Sequence, residues 1–311
     1  MTADVVLAAP VGGRRQAPGK RSAASRWRRR APLLPALIFA IVLTQVPMLF
    51  TIYYSLRSQN LLRPGATRFV GLANYAKVVT DALFRNAVLN TVVLTASTVV
   101  LSMTLAIGLA LLLDKKFLGR SIVRTLLITP FLLMPTAAAL LWKTSMFNPV
   151  FGLLNWVLSP FGVETVDWAS EFPMASVVLM LTWQWTPFMM LIVLAGLQSQ
   201  SPEILEAATV DGAGPWATFR SITLPHLRQF IELGILLGSI FIVQTFDAIF
   251  MITQGGPGQA TTNLPYFIYQ QTFRAFDVGE AAAAGVLVVV ATIGIATFAL
   301  RLISRLFRED G

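Results

Sequence analysis

Two apolar runs carry the polar and aromatic residues with the most chemical potential. The first contains Thr182-Trp183-Gln184-Trp185-Thr186-Pro187-Phe188, which combines hydroxyls, an amide, aromatic rings and a proline. The second contains Ser239, Gln244, Thr245 and Asp247 beside Phe241, Phe246 and Phe250. Polar groups are expensive inside such runs, so they face a cavity or a helix partner. Hydroxyls and amides donate and accept hydrogen bonds, while aromatic faces cover C–H surface. Together they suit a solute rich in hydroxyl groups. Hydrogen bonding that glues helices together is the alternative use of the same residues. On helical spacing Gly238, Phe241, Ile242, Thr245 and Ile249 share a face, and Asp247 falls on another. Glu232 lies four residues after Arg228, at ion-pair spacing.

Other chemistries are poorly supplied. There is no Cys and only one His, His226, so neither a thiolate site nor a histidine metal cluster can form. An intramembrane enzyme would need paired carboxylates, histidines or a serine–base pair, which isolated Asp247 and His226 do not provide. The Gly-rich stretch Thr253-Gln254-Gly255-Gly256-Pro257-Gly258 invites a phosphate-binding reading, but no Lys follows it and no Walker pattern occurs.

These residues need long apolar elements to hold them. The chain has 311 residues, 13% of them charged, and a mean hydropathy of +0.68, which points to a membrane protein. Crossing a bilayer takes about 20 apolar residues. Six runs are long enough, approximately Leu33–Leu56, Ala87–Leu113, Ile122–Met146, Ala175–Leu197, Phe230–Ile252 and Ala281–Leu302. Pro35, Pro47, Pro130, Pro135 and Pro187 predict kinks, which membrane helices tolerate when neighbours satisfy the freed backbone. Residues 1–31 form a basic arm, read as disordered beside a membrane face, with nucleic-acid binding as the alternative. Basic residues crowd this arm, the Lys115–Arg124 turn and the C-terminal end, so the positive-inside rule puts both termini in the cytoplasm. Lys143 lies near the outer end of its run and is expected to snorkel.

The same topology puts the polar stretch Ser201–Pro225 in the cytoplasm. Ser201 is a suitable N-cap, Pro202 suits the first helical position and Glu203 suits the first turn. A helix over Glu203–Asp211 follows, with small Ala207 and Ala208 and a left-handed stop at Gly212. Gly214-Pro215 opens a second short helix, Trp216–Ile222, which Leu224-Pro225 is expected to end.

Glu206-Ala207-Ala208, Asp211-Gly212-Ala213 and Ile222-x-Leu224-Pro225, at this spacing, resemble the signature loop of permease subunits of bacterial ABC importers, the carbohydrate branch especially. Phe69-Val70-Gly71-Leu72-x-Asn74-Tyr75, Asn90-Thr91 and the Gly-Gly-Pro element extend the likeness over roughly Phe69 to Leu302. The resemblance implies an all-α polytopic subunit with the type I importer transmembrane domain. It implies that Glu206, Ala207, Ala208, Asp211, Gly212, Leu224 and Pro225 dock this chain on an ATPase. Aligned on Gly-Gly-Pro, Gly238, Phe241, Ile242 and Thr245 resemble the sugar-contacting positions of maltose-type permeases, and Gln184, Trp185 and Phe188 match the contacts of the fourth span. Those permeases carry amides where Ile242 and Thr245 stand, which argues against maltose itself. Residues Gln254–Phe276 resemble polyol permeases of the sorbitol or mannitol type.

The expected organisation is therefore an arm at 1–31, a first span with its outer loop at 32–86, a transmembrane core at 87–302 with the coupling loop 201–225, and a tail at 303–311. The implied partners are a second related permease, an ATPase dimer that carries the ATP and magnesium, an extracytoplasmic solute-binding protein, a carbohydrate and the membrane lipid. No nucleic acid is expected, and no cofactor in this chain. A stand-alone secondary transporter or channel is the competing reading; it would usually show internal repeats or several embedded charges.

Overall fold

The computed structural model describes residues 34–306, apart from 64, 66, 163 and 164 and the side chains of 295, 296 and 298–306. The basic arm at 1–31 and the last residues of the tail, 307–311, lie outside the described residues. The chain divides into two compact units, one ending at Phe50 and one beginning at Thr51. In the first unit, the Leu34–Phe50 part of helix α1 (Leu34–Ser55) is apolar all round and exposes nearly all its side chains, as a lipid-facing helix would.

The second unit is almost wholly helical. A two-stranded ribbon pairs β1 (Arg57–Ser58) with β2 (Arg68–Phe69) in antiparallel register, Arg57 opposite Phe69. Short α2 (Ala73–Thr80) leads into α3 (Ala82–Asp114), whose N-cap Asp81 accepts from the Leu83 N–H. Then come α4 (Arg120–Leu132), α5 (Pro135–Leu141), α6 (Leu153–Leu158), α7 (Trp168–Glu171) and the long α8 (Pro173–Gln198). After them run α9 (Pro202–Val210), α10 (Pro215–Thr218), α11 (Leu224–Val243), α12 (Leu264–Phe273) and α13 (Val278–Leu306).

Among the described residues four helical stretches are long and apolar enough to cross a membrane: α1, α3, α8 and Pro215–Val243. Helices α4 and α5 make a fifth if counted as one span bent by 101°. In α13 the described apolar part is Val278–Gly294. Six runs were expected, some of them kinked at prolines, and two are broken in ways that matter. The third breaks at Leu133-Met134, where both residues are extended (ψ 139° and 131°). Pro135 causes this, because it disfavours helical geometry in the residue before it. The fifth starts earlier than expected, at Pro215, and loses helical geometry at Gln244, although no Pro or Gly stands there. Pro187, by contrast, lies inside the continuous helix α8.

Leu224-Pro225 does not end a helix as expected. Residues Phe219–Thr223 form a π turn in which the Leu224 N–H bonds the Phe219 carbonyl, and α11 continues from it. Pro225 has no N–H to give, and the wider register places it at the start of the new helical stretch, where none is needed.

Helices α3, α8 and α11 share one core, built from Met103, Ala106, Ala110, Met189, Val193, Leu227 and Ile231. The outer loops are tied by the polar residues of the motifs. Asn74 donates to the carbonyls of Ser55 (2.9 Å) and Arg57 (2.8 Å). Asn90 donates to those of Gln259 and Thr262, and the Thr91 hydroxyl accepts from the Leu264 N–H.

Candidate functional site

The break in the fifth run builds the site. At Gln244 the chain leaves the helix and resumes helical geometry only at Asp247, so the residues past the break no longer follow the projection of α11. Gln244, Thr245, Asp247 and Ala248 line a cavity of about 180 Å³ together with Pro135, Met180, Leu181, Gln184, Trp185 and Phe241. Four of the residues matched from sequence to solute-contact positions meet here: Gln184, Trp185, Phe241 and Thr245. Asp247 joins them on the same wall, against the helical projection that set it on a different face from Thr245. Gln244, Pro135, Met180, Leu181 and Ala248 complete the lining.

Aromatic rings form part of the lining. Trp185 stacks on Phe241, with centroids 5.4 Å apart and planes 18° from parallel. Phe188 lies one ring behind, edge-on to both and stacked on Phe131 at 5.2 Å. Phe241 is 49% exposed, whereas Ile242 is fully buried in the core with Met189. Gly238 also faces Met189: a Cβ there would come within 2.2 Å of the Met189 Cε. The supposed single face of Gly238, Phe241, Ile242 and Thr245 is thus divided between the core and the cavity.

The polar groups also repair the breaks. Gln184 is 5% exposed, and its Nε2 reaches the Leu133 carbonyl at 3.4 Å. Asn263 donates to the Thr245 carbonyl and accepts from the Tyr266 N–H. Thr136 donates its hydroxyl to Asp247. Helix glue and cavity lining, set against each other in the sequence, therefore coincide in Gln184: one amide end holds the break while the residue lines the cavity. Asn263 and Thr136 were missed because their partners lie 18 and 111 residues away.

At Lys143 the Nζ donates to the Met251 carbonyl at 2.8 Å, and the residue lines a wider pocket of about 600 Å³ with Asn148, Asp167, Phe250 and Gln254. His226 contacts Ser199 and the Gly196 carbonyl, both at 3.1 Å. Arg228 and Glu232 pair at 2.8 Å.

The second candidate surface is the loop 201–225. Helix α9 ends in the hydrogen bonds of a glycine C-cap: the Ala213 N–H reaches the Ala208 carbonyl at 2.9 Å, and the Gly212 N–H that of Thr209 at 3.1 Å. Gly212 has φ +78°, the left-handed value that its position required. Ser201 takes the N-cap backbone geometry, but its hydroxyl bonds the Glu203 carboxylate instead of a backbone N–H. That bond, followed by a backbone one, holds the Glu203 carboxyl below its ordinary range. Ala207, Ala208, Glu203, Ile204, Asp211, Ala213 and Ile222 line an open groove of about 500 Å³. Ala208 forms its floor, nearly buried. Glu206 is exposed outside the groove, Leu224 is half-buried and Pro225 is exposed on the continuing helix. Ile204 in the groove, and Val210 and Trp216 elsewhere on the loop, leave large apolar side chains exposed. They are plain in the sequence only once α9 is known to face outward.

Residues 116–309 match the model of a family described as binding-protein-dependent transport system inner membrane component. The probable ABC transporter permease protein y4oQ of Sinorhizobium fredii is 36% identical over 277 residues, covering 88% of both chains. The trehalose/maltose transport system permease protein MalF of Thermococcus litoralis is 33% identical, covering 89% of this chain and 93% of its own. A solved bacterial alginate ABC transporter, in complex with alginate pentasaccharide-bound periplasmic protein, contains a chain of like fold. Its TM-score is 0.75 at 22% identity, covering 91% of this chain and 96% of that one. On the helical membrane fold, the extent of the family match and these identities, the chain is a multi-pass permease component belonging to the inner membrane component family of binding-protein-dependent ABC transport systems.

Proposed function

We propose that this chain forms half of the translocation pathway of an ATP-driven sugar importer. The observation that carries the reading is the cavity where Gln184, Trp185, Phe241 and Thr245 converge, because it pairs amide and hydroxyl groups with a stacked aromatic wall. Such a wall covers the C–H face of a sugar ring, and the polar groups replace water at its hydroxyls. Gly238, Ile242 and Phe188 act from behind: the first two seat α11 on Met189, and Phe188 backs the Trp185–Phe241 stack. The relatives' names support a carbohydrate, trehalose or maltose in one of them. The Gln254–Phe276 resemblance favours a polyol such as sorbitol or mannitol.

In this reading six segments span the membrane, α13 being the last, with both termini and residues 201–225 in the cytoplasm. The groove along Ala207 and Ala208 receives the ATPase, and exposed Glu206 reaches a basic residue on it. ATP and magnesium belong to that ATPase dimer, and this chain needs no cofactor. A second permease supplies the other half of the pathway. A solute-binding protein delivers the solute from outside, in line with the periplasmic protein bound to the alginate transporter.

The test is uptake in proteoliposomes containing both permeases and the ATPase, with the binding protein outside. ATP-dependent accumulation of labelled sorbitol or trehalose, abolished by an ATPase-dead partner, is the expected result. Accumulation that persists without ATP hydrolysis would favour the secondary transporter. Competition among sorbitol, mannitol, trehalose and maltose then decides the solute class.

A further inference from the structure

The two broken segments are joined at their breaks. Pro135 reopens the third run just after its break, and the next residue, Thr136, donates its hydroxyl to Oδ1 of Asp247, just past the break in the fifth. The other polar side chains at this level serve the backbone: Gln184 meets the freed carbonyl of Leu133, and Asn263 that of Thr245. The Thr136–Asp247 bond satisfies no backbone group. It links only the two segments, and it does so at the edge of the cavity that Asp247 lines with Gln184, Gln244 and Thr245. Among the described residues Asp247 makes no ion pair. A carboxylate within a membrane-spanning run, where the six-span reading puts Asp247, is costly, and its default reading is functional.

Resting on the proposed transport role, we infer that Thr136 and Asp247 are positioning residues of the transport cycle. Their hydrogen bond clasps the third and fifth segments together beside the cavity, and a hydroxyl of the entering solute takes the place of the Thr136 hydroxyl on the carboxylate. One O–H donor is exchanged for another, so the carboxylate stays satisfied throughout. The solute then favours the unclasped arrangement because only there does it gain the Asp247 bond, which is the differential affinity a population shift requires. The fifth run is helical from Pro215 to Val243, so the clasp sits just past one end of a stretch whose other end borders the groove of residues 203–222.

The chain has no Cys, so a single reporter can be read without background. Ala248 lines the cavity and is 2% exposed. In the complex with both permeases and the ATPase, Ala248→Cys is labelled with a small thiol reagent, and ATP hydrolysis is measured without solute. Adding Thr136→Val, which keeps shape and loses the hydroxyl, should speed labelling on the order of tenfold, the size expected for losing one charge-assisted hydrogen bond. Solute-independent hydrolysis should rise with it. Thr136→Ser restores the hydroxyl and should restore both readouts, which a role in filling space would not. Unchanged labelling and hydrolysis in an assembled Thr136→Val complex overturn the clasp. Should that variant not assemble, Asp247→Asn keeps the shape with a weaker acceptor, and unchanged labelling in it overturns the clasp equally. Labelling needs no hydrolysis, so a complex unable to use ATP would count against the transport reading and leave the clasp to be judged on the reporter.

Discussion

Single residues in the loop 201–225 are held by local geometry, so their substitution has readable effects. Gly212 sits at φ +78°, and a β-branched side chain there costs about 1 kcal/mol or more. Gly212→Val should insert normally yet lose the ATPase on co-purification. A bulky residue at Ala208 fills the floor of the groove and should do the same; wild-type co-purification and ATP hydrolysis in Ala208→Trp would remove the groove as the docking surface. Glu203 offers a titration. Its carboxyl is lowered chiefly by the Ser201 hydroxyl, so the stabilisation this bond lends the start of α9 is full above the ordinary carboxylate range and fades as pH falls through the lowered value. Ser201→Ala should move the Glu203 titration back up, as followed by NMR of a labelled carboxyl.

At the level of elements, the breaks at 133–134 and 244–246 carry the site, and each depends on a side chain from elsewhere in the chain. Asn263 is 1% exposed; it both caps α12 and satisfies the Thr245 carbonyl. Asn263→Asp keeps the cap and loses the donor, leaving that carbonyl without its Asn263 partner at a cost of about 1–3 kcal/mol. A lower Tm in detergent is expected, with reduced uptake; an unchanged Tm would mean that the break stands without this bond. The solute wall makes a parallel case. Gln184→Ala and Thr245→Ala should weaken or redirect uptake by on the order of 1 kcal/mol or more, while the ATPase still assembles. Wild-type selectivity and rate in both would leave these residues with packing alone.

For the whole molecule, the orientation and the assembly are the claims at stake. Ala260 and Ala217 are both exposed, the first in the Gly-rich loop and the second in α10. A single Cys at Ala260 should react with an impermeant reagent from outside, and one at Ala217 should not. Equal labelling of both from outside would reverse the topology. The exposed apolar groups Ile204, Val210 and Trp216 of the loop 201–225 fit a surface that is covered in the complete transporter.

Local chemistry alone determined a good deal of this molecule. Pro202, Gly212 and the small residues between them specify α9 and its stop, because an N1 proline and a left-handed glycine act over a single turn. Hydropathy located the four stretches long and apolar enough to cross a membrane and the bent fifth, since burying backbone in lipid leaves few options but helices. Pro135 warned of the third break. Nothing near Gln244 warned of the fifth: neither proline nor glycine stands there, and the carbonyl freed at Thr245 is met by Asn263, beyond the Gly-rich loop. Helical projection therefore separated Asp247 from Thr245, and put Gly238 and Ile242 beside Phe241. The π turn before Pro225 escaped the sequence for a related reason, because a proline reads as a stop unless the preceding register can widen. Which polar groups hold the helices and which line the cavity was a matter of partners 18 to 111 residues distant, and only tertiary packing brings those together.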